Sequence, residues 1–133
     1  MSAKVVVDAS ALAAVLFGEP EAQFVAERLG ESALTAPTLF SYELANICWK
    51  KIRRHPQQRA TLLEAYSLRD RLEIEEIEVA VSEVLLLADR ENLTAYDASY
   101  LWLSRNLGAE LVTLDRDLNA VLARDQAEKQ PAK

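Results

Sequence analysis

The sequence is poor in the residues that punctuate, cross-link or ligate softly: its 133 residues include three glycines, four prolines, one cysteine and one histidine. The lone cysteine, Cys48, excludes an internal disulfide and fits a reducing compartment. With no patterned histidine or asparagine partner, it reads as a small core residue. The lone histidine, His55, sits beside Pro56 at an expected helix end. It leaves no room for a ribonuclease mechanism built on two histidines, or for a zinc site of the HExxH kind. No glycine-rich phosphate loop is present, which disfavours a nucleotide-binding enzyme. No apolar run approaches the length needed to cross a bilayer. The opening MSAKVVVDAS lacks the basic-then-apolar pattern of a signal peptide, so the expected location is cytoplasmic.

What the sequence does contain is ordinary in amount and unusual in placement. It is 50% hydrophobic and 27% charged, as expected of one soluble globular domain. A net charge of −6 argues against nucleic-acid binding through bulk charge. That objection weakens if the acids are gathered at one site that holds cations. The β-branched run Val5-Val6-Val7 predicts a buried parallel strand. Further strands are expected at 33–36, 74–79 and 111–114, the 74–79 segment alternating like an edge. Helices are expected over 9–17, 21–29, 38–54, 57–72, 82–90, 94–107 and 118–124, with Gly30 and Gly108 as stops. Strands alternating with helices predict an α/β fold with a parallel sheet. The domain is expected to span 1–124, with 125–133 a polar, disordered tail.

In open α/β sheets, ligands bind outside the carboxyl ends of the strands. Two strands end in aspartate there: Val7-Asp8 and Leu114-Asp115. Either aspartate alone also reads as a helix N-cap. Glu43 lies inside the apolar stripe Leu39, Phe40, Leu44, Ile47, Cys48 and Ile52 of its helix. A buried carboxylate needs a partner, either an arginine or a neighbouring polar site to which Asn46, one turn on, contributes. Asp97, three residues after Thr94, fits the first turn of a helix, where the dipole favours an acid by about 0.3–1 kcal/mol. Brought together, four carboxylates repel by about 4 kcal/mol per pair at about 4 Å and an effective dielectric near 20. A fold tolerates that with protons or with hard cations such as Mg²⁺ or Mn²⁺, which favour all-oxygen ligands. Such ions serve in-line phosphodiester hydrolysis.

The segments Val5-Val6-Val7-Asp8-Ala9-Ser10, Tyr42-Glu43-Leu44-Ala45-Asn46, Tyr96-Asp97-Ala98 and Leu111-Val112-Thr113-Leu114-Asp115-Arg116-Asp117-Leu118 resemble PIN-domain proteins. More narrowly, their order, spacing and total length resemble VapC-type toxins of VapBC toxin–antitoxin pairs. The resemblance implies a three-layer α/β/α sandwich around a parallel sheet of four to five strands. It also implies endonucleolytic RNA cleavage dependent on Mg²⁺ or Mn²⁺. Asp8, Glu43, Asp97 and Asp115 stand at the acidic metal-binding and catalytic positions. Ser10 and Thr113 match supporting hydroxyl positions, and Asp117 an auxiliary acid. Implied partners are RNA, a VapB-like antitoxin and a second copy of the chain. The last strand common in such proteins has no counterpart in the sequence after Ala123, so the fifth strand is expected to be absent or frayed.

Lys50, Lys51, Arg53, Arg54 and Arg116 are candidate phosphate contacts. A solvated last helical turn explains the first four as well. Trp49, Tyr100 and Trp102 are candidates for an interface or for the core. A phosphoacceptor domain needs adjacent acids after the first strand and a lysine after a late one, yet Ala9 and Ser10 follow Asp8, and no lysine follows Leu114. An aspartyl phosphatase needs an acid where Ser10 stands. The remaining alternative is a PIN-like, metal-binding interaction module without catalysis.

Overall fold

A computed structural model describes residues 3–129. Four strands, β1 (Lys4–Val7), β2 (Ala33–Pro37), β3 (Ile74–Ile77) and β4 (Glu110–Val112), form one parallel sheet in the order β3-β2-β1-β4. Seven α-helices connect and flank them: α1 (Ala9–Leu16), α2 (Ala22–Leu29), α3 (Phe40–Arg54), α4 (Arg59–Ser67), α5 (Val81–Glu91), α6 (Ala95–Leu107) and α7 (Arg116–Lys129). The chain steps from β1 to β2 to β3 in one direction, then returns across the sheet to β4. Right-handed crossovers therefore put α1–α4 on one face and α5–α6 on the other. Helix contacts divide the same way, α1 with α2 and α3, α3 with α4, and α5 with α6. This is the expected α/β/α sandwich, with four strands among the described residues. No helix among them is long and apolar enough to cross a membrane.

The core lies between sheet and helices. β1 contributes Val5, Val6 and Val7, all buried, and α1 packs against it through Ala9, Ala11, Leu12, Ala13 and Ala14. Its small side chains let α1 approach the sheet closely, which brings its N-terminus against the end of β1. Asp8 caps α1 by accepting the Ala11 N–H at 2.9 Å. α6 begins at Thr94, whose hydroxyl caps the Asp97 N–H at 3.1 Å, and ends at Gly108 in the left-handed region (φ 63°). The strand order reverses between β1 and β4, and the crevice at such a point is where α/β sheets bind ligands.

Several expected boundaries differ, among them the strand expected over 74–79, which spans Ile74–Ile77. The helix expected over 57–72 is an α-helix only over Arg59–Ser67, with a 3₁₀ turn at Pro56–Gln58 before it and another at Leu68–Arg71 after it. Proline 56 starts the first turn, and Ser67 Oγ donates back to the Glu64 carbonyl at 2.6 Å where α4 tightens into the second. The strand expected over 111–114 spans Glu110–Val112. The last helix, expected over 118–124, runs Arg116–Lys129. Residues 125–129 of the expected disordered tail are therefore helical; the rest of that tail lies outside the described residues. Arg105 pairs with Asp125 at 2.8 Å and Arg124 with Glu91 at 2.6 Å, tying α7 to α6 and α5.

Candidate active site

Parallel pairing sets Val7 opposite Val112, so β1 and β4 end side by side and deliver Asp8 and Asp115 to the same edge. The pairing is extended by the Asp8 N–H, which donates to the Val112 carbonyl at 3.2 Å. Asp8 is 4% exposed, and both of its carboxylate oxygens are engaged. Ser10 Oγ donates to Oδ1 at 2.7 Å and Thr113 Oγ1 donates to Oδ2. Each hydroxyl also accepts a backbone N–H from the β4 side: Leu114 to Ser10 at 3.2 Å, and Asp115 to Thr113 at 2.9 Å. Ser10 and Thr113 thus staple the two strand ends around Asp8. Asn119 Nδ2 holds the Thr113 carbonyl at 3.0 Å from the first turns of α7.

Asp115 caps α7, its Oδ1 accepting the Leu118 N–H at 2.9 Å. Asp8 and Asp115 are therefore both helix caps, as one reading of each expected, and the charge of Asp115 is also felt by Asp8 across the edge. Glu43 and Asp97 come from the first turns of α3 and α6. Four helix N-termini with partial positive charge thus surround four carboxylates. The partner of Glu43 is no arginine: Tyr100 OH donates to its Oε1 at 2.5 Å, joining α6 to α3. Tyr100 is buried, not part of an interface. A tyrosine one turn after Asp97 was the available signal for it.

The acids feel one another. Burial pushes Asp8 above the usual carboxylate range despite the Thr113, Ser10 and Ala11 hydrogen bonds, and the charge of Asp115 adds to that. Burial likewise raises Glu43, opposed by Tyr100 and reinforced by Asp97, Asp8 and Asp115. Asp97 is pushed from 3.8 up to about 6 by burial, Asp115, Asp8 and Asp117, with the Thr94 bond opposing. Tyr100 is raised by burial and by the Glu43 carboxylate it serves. Among the described residues, however, no three acids close on a common point as a finished ligand shell. Both oxygens of Asp8 and one of Asp115 accept hydroxyl or backbone donors, and the set is coupled in charge without converging.

The other expected residues divide. Asp117 is exposed and near enough to raise Asp97. Asn46 is exposed and makes no hydrogen bond to the acids among the described residues. Lys51 pairs with Glu19 at 2.5 Å and lies over the Phe17 ring, while Lys50, Arg53, Arg54 and Arg116 are exposed. Trp49 is exposed, and Trp102 donates to Glu83 at 3.1 Å. Cys48 is buried. Two concavities, about 430 Å³ between α5 and α6 and about 790 Å³ between α6, β4 and α7, are lined by none of the four acids.

Known proteins share this fold. The sequence profile described as PIN domain matches residues 5–122. The chain is 35% identical over 135 aligned positions to Ribonuclease VapC3 of Pyrobaculum aerophilum, covering 97% of this chain and 96% of that protein. The crystal structure of PAE2754 from P. aerophilum superposes with a TM-score of 0.68 at 28% identity, over 96% of this chain and 99% of that one. Mycobacterium tuberculosis VapC20, described as a Sarcin-Ricin loop cleaving toxin, shares the fold at TM-score 0.59 and 20% identity, over 88% and 94% of the two chains. With its four-stranded parallel sheet, its acids at the strand ends and a profile match over nearly its whole length, the chain belongs to the PIN domain family and is similar to a VapC ribonuclease.

Proposed function

We propose that the protein is a Mg²⁺- or Mn²⁺-dependent endoribonuclease, the toxin of a type II toxin–antitoxin pair, which hydrolyses RNA phosphodiester bonds. The observation that carries this reading is the charge coupling of Asp8, Glu43, Asp97 and Asp115 at the β1–β4 edge. Such repulsion costs stability unless protons or cations relieve it. The donor set is oxygen only, which fits a hard divalent ion and not zinc or a soft metal. When bound, the cation supplies charge neutralisation and an acidified water.

The chain's own residues then divide the work. Asp8, Asp97 and Asp115 are the residues to hold the ion. Ser10 and Thr113 are positioning residues that fix the Asp8 carboxylate plane. Tyr100 occupies Glu43 Oε1 and so leaves Oε2 to orient the attacking water. The flanking helix N-termini lower the cost of drawing an anionic phosphodiester toward four carboxylates. Replacing any of the aspartates by asparagine removes charge while preserving shape and capping ability.

Purified protein incubated with a structured cellular RNA pool in Mn²⁺, Mg²⁺ or EDTA tests the reading. Cleavage in either metal, abolished by EDTA, is the expected result. Metal binding without cleavage would instead support the interaction-module alternative. The toxin assignment rests on the similarity to a VapC ribonuclease. It carries two expected partners, a VapB-like antitoxin and a second copy of the chain. Val81, Leu85 and Leu86 on α5, all more than 60% exposed, are apolar surface in want of cover and fit the second of these.

A further inference from the structure

The site residues occupy one side of α3, and a different side of the same helix is as distinctive. Tyr42, Asn46, Trp49 and Arg53 recur at i, i+4, i+7 and i+11, so they form one stripe along the helix. All four are exposed, Tyr42 at 84% and Trp49 at 55%. Arg53 lies over the Trp49 ring at 5.8 Å. Lys50 adjoins the stripe. Among the described residues, neither Lys50 nor Arg53 forms a salt bridge. The only acid of α3 is Glu43, turned away from the stripe toward Tyr100.

A further exposed tyrosine adjoins another acid of the cluster, on α6. Tyr96 precedes Asp97 as Tyr42 precedes Glu43, and it is 65% exposed. It lies one turn before Tyr100 on the same face of α6, and Tyr100 points at Glu43 of α3. Tyr96 therefore lies beside Asp97 of the acid cluster, on the face of α6 that also carries Tyr100, whose hydroxyl reaches Glu43 near the start of α3. The stripe runs on from Tyr42 toward the end of α3, with Tyr42 and Trp49 about 10 Å apart along the helix axis.

We infer that Tyr42, Tyr96 and Trp49 are stacking platforms for the bases of single-stranded RNA, with Lys50 and Arg53 holding its phosphates, so that the substrate enters the acid cluster along the exposed stripe of α3. The inference rests on the ribonuclease reading and deepens it by naming the side chains that take the strand. A basic face with interleaved aromatics fits a single strand, whose unpaired bases offer their flat faces, and does not fit a duplex, whose bases are already stacked. It also explains how a chain of net charge −6 can take a polyanion, because the cations are local to the track. An apolar protein partner would be poorly served by a stripe whose cations have no acids among them.

Binding is measured in an Asp115→Asn background, which retains the α7 cap while silencing hydrolysis. The probe is a mixed-sequence RNA of about 12 nucleotides carrying 2-aminopurine, within the span of known single-strand sites, compared with its duplex. Tyr42→Ala, Tyr96→Ala and Trp49→Ala are each expected to weaken single-strand binding about tenfold, equivalent to about 1.4 kcal/mol. Tyr42→Phe and Tyr96→Phe should retain it, and 2-aminopurine fluorescence should be quenched only where the ring remains. Duplex binding should be weaker and indifferent to all five changes. Unaltered binding by the alanine variants overturns the inference, as does loss by phenylalanine equal to that by alanine. A change in sedimentation with Tyr42→Ala or Trp49→Ala also overturns it, by assigning the stripe to a protein contact. Cleavage by the native chain in Mn²⁺ is recorded separately: its absence together with ring-dependent binding refutes catalysis and leaves the track standing.

Discussion

Glu73, Glu75, Glu76 and Glu78 lie on and around β3 and all face solvent, whereas Asp8, Glu43, Asp97 and Asp115 are drawn together, wholly or partly buried, where β1 and β4 end. Each group carries four acids. On β3 the charges are hydrated and spaced along an exposed edge strand, where they deter pairing with another sheet. One of them, Glu76, accepts a hydrogen bond from Ser41 at 3.0 Å, and nothing further is asked of it. At the β1–β4 edge, the same functional group is desolvated, stapled by hydroxyls and pushed toward protonation by its neighbours. The difference shows that acid count says little about function. What matters is whether the topology brings carboxylates from distant segments into a shared, poorly hydrated space.

The sharpest way to break the comparison is to neutralise one acid in each group. Asp97→Asn should lower metal-dependent RNA cleavage at least about a hundredfold, beyond the loss typical of an outer-shell change. Glu75→Gln should leave cleavage unchanged, because a hydrated edge glutamate holds nothing. Initial rates in Mn²⁺, with circular dichroism to verify the fold, check both.

A smaller effect tests whether Glu43 is positioned or merely present. Tyr100→Phe removes the hydroxyl from Glu43 Oε1 while retaining the ring that fills the core. A hydrogen bond to a charged group contributes about 1.5–3 kcal/mol. The expected result is a fall in kcat of roughly ten- to a hundredfold, on the order of that contribution, with little change in KM. A purely structural tyrosine would alter the melting temperature and leave the kcat of the folded fraction intact.

The smallest effect is on stability against pH. Asp97 takes up a proton at about 6 in the folded chain, against 3.8 for an ordinary aspartate. Between those values the folded state binds more protons than the unfolded state, so the stability of the metal-free protein falls as pH rises. Above that window this contribution is flat. Denaturant titrations in EDTA across the window should show the decline, and Asp97→Asn should make it shallower, the remainder belonging to Asp8 and Glu43, which burial also raises. The β3 variant Glu75→Gln should retain the native slope.

Much of this was legible in the sequence, for local reasons. Val5-Val6-Val7-Asp8 and Leu111-Val112-Thr113-Leu114-Asp115 announce strands ending in acids, and a parallel sheet forces such ends to one edge. Glu43 stood out because it interrupted an apolar stripe. What could not be read depends on contacts distant along the chain. Tyr100 serves Glu43 across 57 residues, and its place one turn after Asp97 is the one local mark that sets it apart from a core tyrosine. α7 extends to Lys129 partly because Arg105 and Glu91 reach it from elsewhere, whereas its own sequence is polar. Asn46, one turn after Glu43, seemed a natural companion to it. Around the helix it lies about 60° from Glu43 and about 40° from Tyr42, and it is exposed as Tyr42 is.

The central claim is that the acids at the β1–β4 edge form a cation site and those on β3 do not. Calorimetric titration of Mn²⁺ into the native chain, Asp97→Asn and Glu75→Gln near pH 6 tests it most directly. The account predicts saturable binding with proton release by the native chain and by Glu75→Gln, because Asp97 must give up its proton to the ion, and loss of both in Asp97→Asn. Equal binding by all three proteins, or no saturable binding by the native chain, would contradict it.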